Sequence, residues 1–180
     1  MPPSGAKWRD GEGTSPNHPG TELWGESEPG ERSVQPSFKG EYRHSIDAKG
    51  RLIVPSRLRP PLAGDKVVLS YWLDGGIALW SGEGWDAIEA RLLAQGRGSA
   101  TARSLLRRIA SSAYEDEIDS QGRIQVPPQL RQEAGIDRDV VVIGVLDHAE
   151  IWAPDKYDEM KQIALEPGVL EAAVEELTGF

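Results

Sequence analysis

The chain has 180 residues, a net charge of −9, no cysteine and three histidines. The lack of cysteine excludes disulfides and thiolate metal sites and is typical of a cytosolic protein. No apolar run approaches the length of a membrane span or of a signal peptide. We therefore expect a cytoplasmic protein with no metal, cofactor, small-molecule substrate or membrane partner.

The charge is distributed unevenly along the chain. Residues 37–60 carry six basic and two acidic side chains, whereas residues 135–180 carry three basic and eleven acidic ones. Contacts to phosphate require lysine and arginine, so the first segment is a candidate for nucleic-acid binding. A solvated surface could have the same composition, and charge alone does not decide between the two.

In chain order, the first segment is rich in glycine, proline, serine and glutamate and shows no periodicity. This composition predicts a disordered extension over residues 1–37. We expect ordered structure to begin near Phe38.

An internal repeat follows. A shift of 72 residues carries Ile-Asp-Ala-Lys-Gly-Arg-Leu-Ile-Val-Pro at 46–55 onto Ile-Asp-Ser-Gln-Gly-Arg-Ile-Gln-Val-Pro at 118–127, and the same register carries Trp80 onto Trp152. Each copy is too short to bury a full core alone. We predict that two copies pack together, in one chain or across chains.

The repeat divides the chain into segments and elements. After the extension we predict a first repeat at 38–84, inter-repeat helices at 85–109, a second repeat at 110–157 and an acidic helical tail at 158–180. Runs of β-branched and aromatic residues predict strands at 66–72, 77–80, 139–145 and 150–152. Helices are predicted over 84–94 and 101–114 and from 155 onward, the last with a break at 167–168.

Each repeat carries an Asp-x-x-Gly turn between short apolar runs. Aspartate accepts hydrogen bonds from nearby backbone N–H groups, and glycine adopts the positive φ that other residues avoid. The pattern therefore predicts two β-hairpin turns, formed by Asp47 with Gly50 and by Asp119 with Gly122.

A strand and a short helix follow each turn. The alternating pattern places Leu52 and Val54 on one buried face, and Ile124 and Val126 in the second copy. A helix then begins at the proline of each copy. The second helix covers 128–134 and ends at Gly135. The first helix meets Pro60-Pro61 and must end sooner or distort.

The doubled Asp-x-x-Gly-Arg-(Leu/Ile)-x-Val-Pro motif, followed by Leu-Arg, resembles the MraZ family. Phe38-Lys39-Gly40, Val142-Ile143-Gly144 and Glu150-Ile151-Trp152 resemble further segments of that family. The resemblance implies an α+β, β-rich fold of tandem swapped-hairpin units of the SpoVT-AbrB type, each an AbrB-like β-barrel unit with short helices. It also implies a nucleoid-associated transcriptional regulator of the division and cell wall gene cluster. Such a regulator binds short direct repeats in double-stranded DNA as a ring-like homo-oligomer.

The two copies differ in charge, and this difference separates candidate roles. The candidate DNA-binding residues all lie in the basic first copy: Lys39, Arg43, Lys49, Arg51 and Arg57. The second copy has glutamine where the first has Lys49 and Arg57, so we expect it mainly to complete the fold and the assembly.

The arginines shared by both copies leave alternatives open. Arg51 and Arg123, beside the turns, could reach a phosphate or a guanine edge, or could form an ion pair with the turn aspartate. The family resemblance favours DNA for Arg51. Arg59 and Arg131, on the short helices, are expected to be structural, paired with the turn aspartate or with a backbone carbonyl.

Two other classes of protein fit the sequence less well. An enzyme is not expected, because the Asp-Thr/Ser-Gly triplet of aspartic proteases, a phosphate loop and a metal cluster are all absent. No catalytic residue is assigned. An antitoxin-like protein-interaction module of the same fold is the alternative, since residues 155–180 could supply a partner-binding helix. Antitoxins usually carry one such unit per chain, whereas this chain carries two.

Overall fold

The computed structural model describes residues 37–62, 64, 66–95 and 98–178, so most of the predicted N-terminal extension lies outside the described residues. The strands are β1 (Glu41–Ser45), β2 (Arg51–Ile53), β3 (Lys66–Tyr71), β4 (Ile77–Ser81), β5 (Tyr114–Glu117), β6 (Arg123–Gln125), β7 (Asp139–Gly144) and β8 (Ala149–Trp152). The helices are α1 (Gly82–Gln95), α2 (Ala100–Ser112), α3 (Pro128–Ala134), α4 (Pro154–Ala164) and α5 (Val169–Thr178). Short 3-10 turns cover Ser56–Leu58, Pro60–Leu62 and Leu73–Gly75.

The strands form one large sheet and one small ribbon. The sheet has six antiparallel strands in the order β1-β7-β8-β4-β3-β5, and β2 and β6 form a separate two-stranded antiparallel ribbon. Together with the five helices of the described residues, these strands confirm the α+β, β-rich prediction.

The two repeats exchange their strands. In the sheet, β1 of the first repeat pairs with β7 of the second, and β5 of the second pairs with β3 of the first. The ribbon likewise contains one strand from each repeat. Each copy therefore completes its backbone hydrogen bonding only with the other, which explains why a single copy could not bury a core.

The strand exchange also changes the predicted hairpins. Around the first turn, a single bridge joins Ile46 to Leu52. Beyond this bridge the two strands separate: β1 pairs with β7, and β2 pairs with β6. The turn forms locally, but the partners of its flanking strands come from the other repeat.

The main core lies between the inner face of the sheet and the ribbon. Leu52, Val54, Ile124 and Val126 are buried there, as the alternating pattern predicted. The outer face of the sheet is covered by helices: Trp80, Trp85 and Ile109 form one cluster under α1 and α2, and Val141, Trp152 and Tyr157 form another under α4.

The short helices differ between the repeats for the reason that the sequence predicted. In the second repeat, α3 ends at Gly135, which has a φ of 71° and acts as the C-terminal cap. In the first, Pro60 and Pro61 lack the N–H groups that a continuing helix needs. The chain there forms two consecutive 3-10 turns instead.

One predicted helix extends into a segment that is a strand in the structure. The helix predicted over 101–114 ends at Ser112, and Tyr114 is the first residue of β5. Strand β5 reads Tyr-Glu-Asp-Glu and has no alternating apolar pattern. It is a strand because it pairs with β3, where Tyr114 faces Leu69. Its conformation therefore depends on a long-range partner.

Candidate nucleic-acid interface

Each Asp-x-x-Gly-Arg motif forms a turn held by its aspartate. In the first turn, Oδ1 of Asp47 accepts hydrogen bonds from the backbone N–H groups of Lys49 and Arg51, each at 2.9 Å. Asp119 does the same for Gln121 and Arg123, also at 2.9 Å. The glycines occupy the left-handed region, with φ of 81° at position 50 and 77° at position 122. Only glycine adopts this conformation without strain.

The second oxygen of each aspartate holds the arginine. Oδ2 of Asp47 accepts from Nε of Arg51 at 2.8 Å and from Nη2 at 2.7 Å. In the second turn, Oδ2 of Asp119 accepts from Nε and Nη2 of Arg123 at 2.7 and 2.6 Å. The guanidinium side-chain hydrogen bonds, followed by the backbone N–H groups, lower the pKa of both aspartates from 3.8 to about 2. Both ion pairs therefore persist at neutral pH.

This geometry is the local ion pair that the sequence left open as one alternative. The ion pair leaves part of the guanidinium available for other contacts. Its Nε and Nη2 atoms both donate to the same carboxylate oxygen, and Nη1 has no bond to the aspartate. A planar guanidinium fixed in this way presents donors in a set direction. The DNA-binding role of Arg51 stays a prediction.

Both arginines lie on the outward face of the ribbon. Leu52 and Ile124 of the ribbon point into the core, so their neighbours point outward. Across the ribbon, Arg51 faces Gln125 and Ile53 faces Arg123. The ribbon therefore presents one arginine from each repeat on a single surface, which we call the ribbon face.

The two turns stand at opposite ends of this ribbon. Val54 N donates to the carbonyl of Gly122 and Val126 N to that of Gly50, each at 2.9 Å. Lys49, in the first turn, is therefore at one end of the ribbon face.

Arg57 follows β2 in the Ser56–Leu58 turn, near the other end, and both basic side chains are exposed. Neither Lys49 nor Arg57 has an ion-pair partner within the described part of the chain.

The structure does not bring the other two predicted DNA-binding residues to this face. Tyr42 packs against the main core, whereas Arg43 lies opposite Val141 on the other side of the sheet and pairs with Asp158 of α4 at 3.3 Å. Lys39 lies before β1, at the end remote from the turn, next to the backbone contact between Phe38 and Leu146.

The helix arginines each cross to the turn of the other repeat. Nε of Arg59 donates to the carbonyl of Val54 at 2.8 Å, and its guanidinium lies against Gly122. Arg131 lies near Gly50. The partner of Arg59 is thus a backbone carbonyl, one of the two alternatives left open.

Sequence reasoning missed two residues near the first turn. Gln125 reaches across the ribbon, and its Nε2 donates to the carbonyls of Lys49 at 3.0 Å and Gly50 at 3.2 Å. The backbone carbonyl of Arg138 accepts a hydrogen bond from the backbone N–H of Ile46 at 2.8 Å, which places Arg138 beside the first turn. Both come from the second repeat, and only knowledge of the strand exchange could have placed them here.

Two kinds of feature are absent from the described residues. None of the helices there is both long and apolar enough to cross a membrane. No group of three or more His, Cys, Asp or Glu side chains in that part of the chain is placed to hold a metal ion.

Comparison with known proteins identifies the family. The sequence profile of the family described as "MraZ protein, putative antitoxin-like" matches the chain twice, over residues 37–108 and 109–175. The chain belongs to the MraZ family. The two matches correspond to the two strand-exchanging repeats seen in the structure.

Several proteins named "Transcriptional regulator MraZ" are similar to this chain. The protein of Lachnoclostridium phytofermentans is 43% identical over 132 residues, which cover 71% of this chain and 92% of that protein. The Natranaerobius thermophilus protein is 39% identical over 143 residues, covering 79% and 98%. The Ligilactobacillus salivarius protein is 43% identical over 121 residues, covering 67% and 84%. The names of these MraZ relatives describe a non-enzymatic role, in agreement with the prediction that this chain is not an enzyme.

Proposed function

We propose that this protein is a sequence-specific DNA-binding transcriptional regulator that contacts DNA through the ribbon face. The observation that carries the proposal is the pair of arginines, Arg51 and Arg123, each held by its own turn aspartate on the outward side of a two-stranded ribbon. The names of the MraZ relatives support regulation of transcription.

The shape of the ribbon suits the major groove of DNA. A two-stranded β-ribbon fits into that groove, and arginine there recognises the O6 and N7 edge of guanine. The aspartates fix the two guanidinium groups before DNA arrives, so little side-chain entropy is lost on binding. We assign base contacts to Arg51, with Arg123 as the equivalent group of the second repeat.

The surroundings of the two arginines differ in charge. Arg51 has Lys49 in its own turn, whereas Arg123 has Gln121 at the same position, and Arg57 corresponds to Gln129. Lys49 and Arg57 are exposed and suited to phosphate contacts. The first repeat therefore supplies the stronger interaction, and the second chiefly completes the fold.

One ribbon face per chain is a small footprint for a DNA site. We propose that the protein acts as a homo-oligomer, ring-like as the family resemblance implies, whose ribbon faces bind successive short direct repeats. Linked weak contacts then add by avidity. The family resemblance also implies the target, which is a promoter of the division and cell wall gene cluster. The protein then acts in the cytoplasm, on the nucleoid.

The test is fluorescence anisotropy with DNA from upstream of the protein's own gene and with scrambled DNA, over a salt series. We expect wild type to prefer its own DNA and to weaken with salt, and Arg51→Ala to lose that preference. Arg43→Ala is the matched control, because Arg43 lies on the other side of the sheet and should leave binding unchanged. Equal weak binding of all DNA by wild type and Arg51→Ala would refute the proposal.

An antitoxin-like interaction module is a second candidate, favoured by the exposed apolar side chains after α4. Leu165 is 64% exposed and Leu170 is 59% exposed, and the family description itself includes the term antitoxin-like. A helical segment of this kind could bind a protein partner. Recovery of a stoichiometric protein partner together with absence of promoter binding would favour this second function.

A further inference from the structure

We infer that the second repeat adds a binding site for a DNA backbone phosphate, formed by Arg131 and Arg138 in a cleft beside the ribbon. The inference rests on the proposed function and extends it, because it gives the second repeat a direct part in DNA contact. It concerns positioning of the DNA and not recognition of bases.

The cleft lies between the first turn and the segment that leads into β7. Its volume is about 680 Å³. Four arginines line it together with two aspartates: Arg51, Arg123, Arg131, Arg138, Asp47 and Asp137. Because β1 pairs with β7, position 138 is fixed opposite Ile46, one residue before the turn aspartate.

Two of these arginines are already engaged and two are not. Arg51 and Arg123 are held by the turn aspartates. Arg131 and Arg138 form no ion pair with any described residue. Nε of Arg131 is moreover buried with no acceptor among those residues. An unsatisfied donor of this kind carries a free-energy cost, which a nearby anion reduces by compensating the guanidinium charge.

The acidic side chains of the cleft do not cancel this charge. Asp47 is neutralised by Arg51, which leaves Asp137 against Arg131 and Arg138. The remaining balance is positive by one charge. A guanidinium can bind phosphate with two parallel N–H donors, so an exposed Arg138 with Arg131 behind it suits a single phosphate group.

The duplication offers an internal comparison. A shift of 72 residues places Arg59 at the position of Arg131. Nε of Arg59 is bonded to the carbonyl of Val54 at 2.8 Å. The arginine of the other groove that is equivalent to Arg131 is therefore already occupied.

The strand beside each groove reinforces the difference. Strand β5, beside the groove of Arg59, carries Asp116 on the side of the ribbon, where its Oδ2 accepts from the backbone N–H of Gln125 at 2.6 Å. The position of β1 equivalent to Asp116 is His44, so no acidic side chain stands at that position beside the Arg138 cleft. Of these two related grooves, the one with Arg138 is suited to phosphate, and this fixes the side on which the DNA backbone passes.

The experiment compares Arg138→Ala, Arg138→Lys and Lys66→Ala with wild type, on specific and scrambled DNA, across a salt series. The Arg138 side chain is exposed, and its backbone carbonyl bond to Ile46 survives substitution, so the variants should fold. We expect Arg138→Ala to weaken binding to both DNAs by the same factor. The slope of log K against log salt should become shallower by about 0.9 per bound subunit.

Arg138→Lys, which keeps the charge, should restore most of that slope, and Lys66→Ala should match wild type. If Arg138→Ala binds with wild-type affinity and slope while Arg51→Ala loses specificity, the phosphate site is refuted and the proposed function stands. If wild type binds neither DNA, the proposed function is refuted and the phosphate site with it.

Discussion

The guanidinium of Arg59 lies directly against Gly122, the glycine in the turn of the other repeat. A Cβ atom at position 122 would come within 2.6 Å of the Nη2 atom of Arg59. The same arginine bonds the carbonyl of Val54, whose N–H in turn bonds Gly122. This contact ties the 3-10 turn of the first repeat to the Asp-Arg turn of the second.

Gly122→Ala should therefore destabilise the protein more than Gly50→Ala. Both substitutions carry the cost of a left-handed alanine, about 1–2 kcal/mol. At position 122 the new methyl group also displaces the Arg59 guanidinium from its carbonyl bond. At position 50 it meets Nε2 of Gln125 at 2.6 Å, and moving this uncharged amide aside costs only its hydrogen bonds to the carbonyls of Lys49 and Gly50. Urea unfolding measures the difference in the free energy of unfolding, and equal losses would show that the Arg59 contact adds nothing.

The turn aspartates predict a specific response to acid. Arginine hydrogen bonds lower the pKa of Asp119 from 3.8 to about 2. A carboxyl group with a lowered pKa in the folded state stabilises the protein above its unfolded pKa. That contribution is lost as pH falls toward the folded value. We expect the free energy of unfolding to fall between about pH 4 and pH 2.

Asp119→Asn is the variant that checks this assignment. It retains a side chain of the same shape but cannot ionise, so its free energy of unfolding should depend less on pH in that window. Asp158→Asn serves as the control, because the ion pair of Asp158 with Arg43 is long, at 3.3 Å, and exposed. An unchanged acid profile in Asp119→Asn would assign the acid response to other carboxylates.

Local chemistry predicted a large part of this fold. The alternation of Leu52 and Val54, the turn at Gly50 and the helix cap at Gly135 all depend on neighbours in sequence, and each lies where the sequence placed it. The contrast between Pro60-Pro61 and α3 was also predictable, because proline acts through its own missing N–H.

Long-range pairing accounts for what the sequence did not predict. Strand β5 has no apolar alternation and forms because β3 supplies its hydrogen bonds. The grouping of Arg138 and Gln125 with the first turn results from exchange of strands between repeats. The two copies have nearly the same sequence pattern of apolar and polar residues. This pattern would be the same if each copy paired its own strands or if the copies exchanged them, so no local signal distinguishes the two arrangements.

The ribbon offers a matched pair of core and surface substitutions. Leu52 is fully buried, whereas Ile53 beside it is 48% exposed. Leu52→Ala should lower the free energy of unfolding by about 2–5 kcal/mol, because it leaves a cavity under the ribbon. Ile53→Ala should change it by about 0.5 kcal/mol or less. Thermal or urea unfolding of the two variants checks this, and similar losses would mean that the ribbon does not cover the main core.

A buried histidine predicts a second pH response, on the alkaline side. His148 is stacked on Trp80 at 4.2 Å between ring centroids and contacts the edge of Trp72 at 5.9 Å. Its Nδ1 lies 2.7 Å from Asp147 and its Nε2 lies 3.3 Å from Glu150. Burial lowers its pKa, but hydrogen bonds to Glu150 and Asp147 outweigh this, and the net shift from 6.5 is upward.

A histidine with a raised pKa stabilises the folded state below its unfolded pKa, and that stabilisation is lost as pH rises through the folded value. Wild type should therefore lose stability as pH increases above about 6.5, the ordinary histidine value, whereas His148→Gln should show a flatter profile in the same range. Asp147→Asn, which removes one of the two carboxylates, should give an intermediate profile. Denaturant unfolding at a series of pH values measures all three. A wild-type profile that His148→Gln leaves unchanged would show that the imidazole stays neutral between the tryptophans, so that its contribution comes from packing and not from charge.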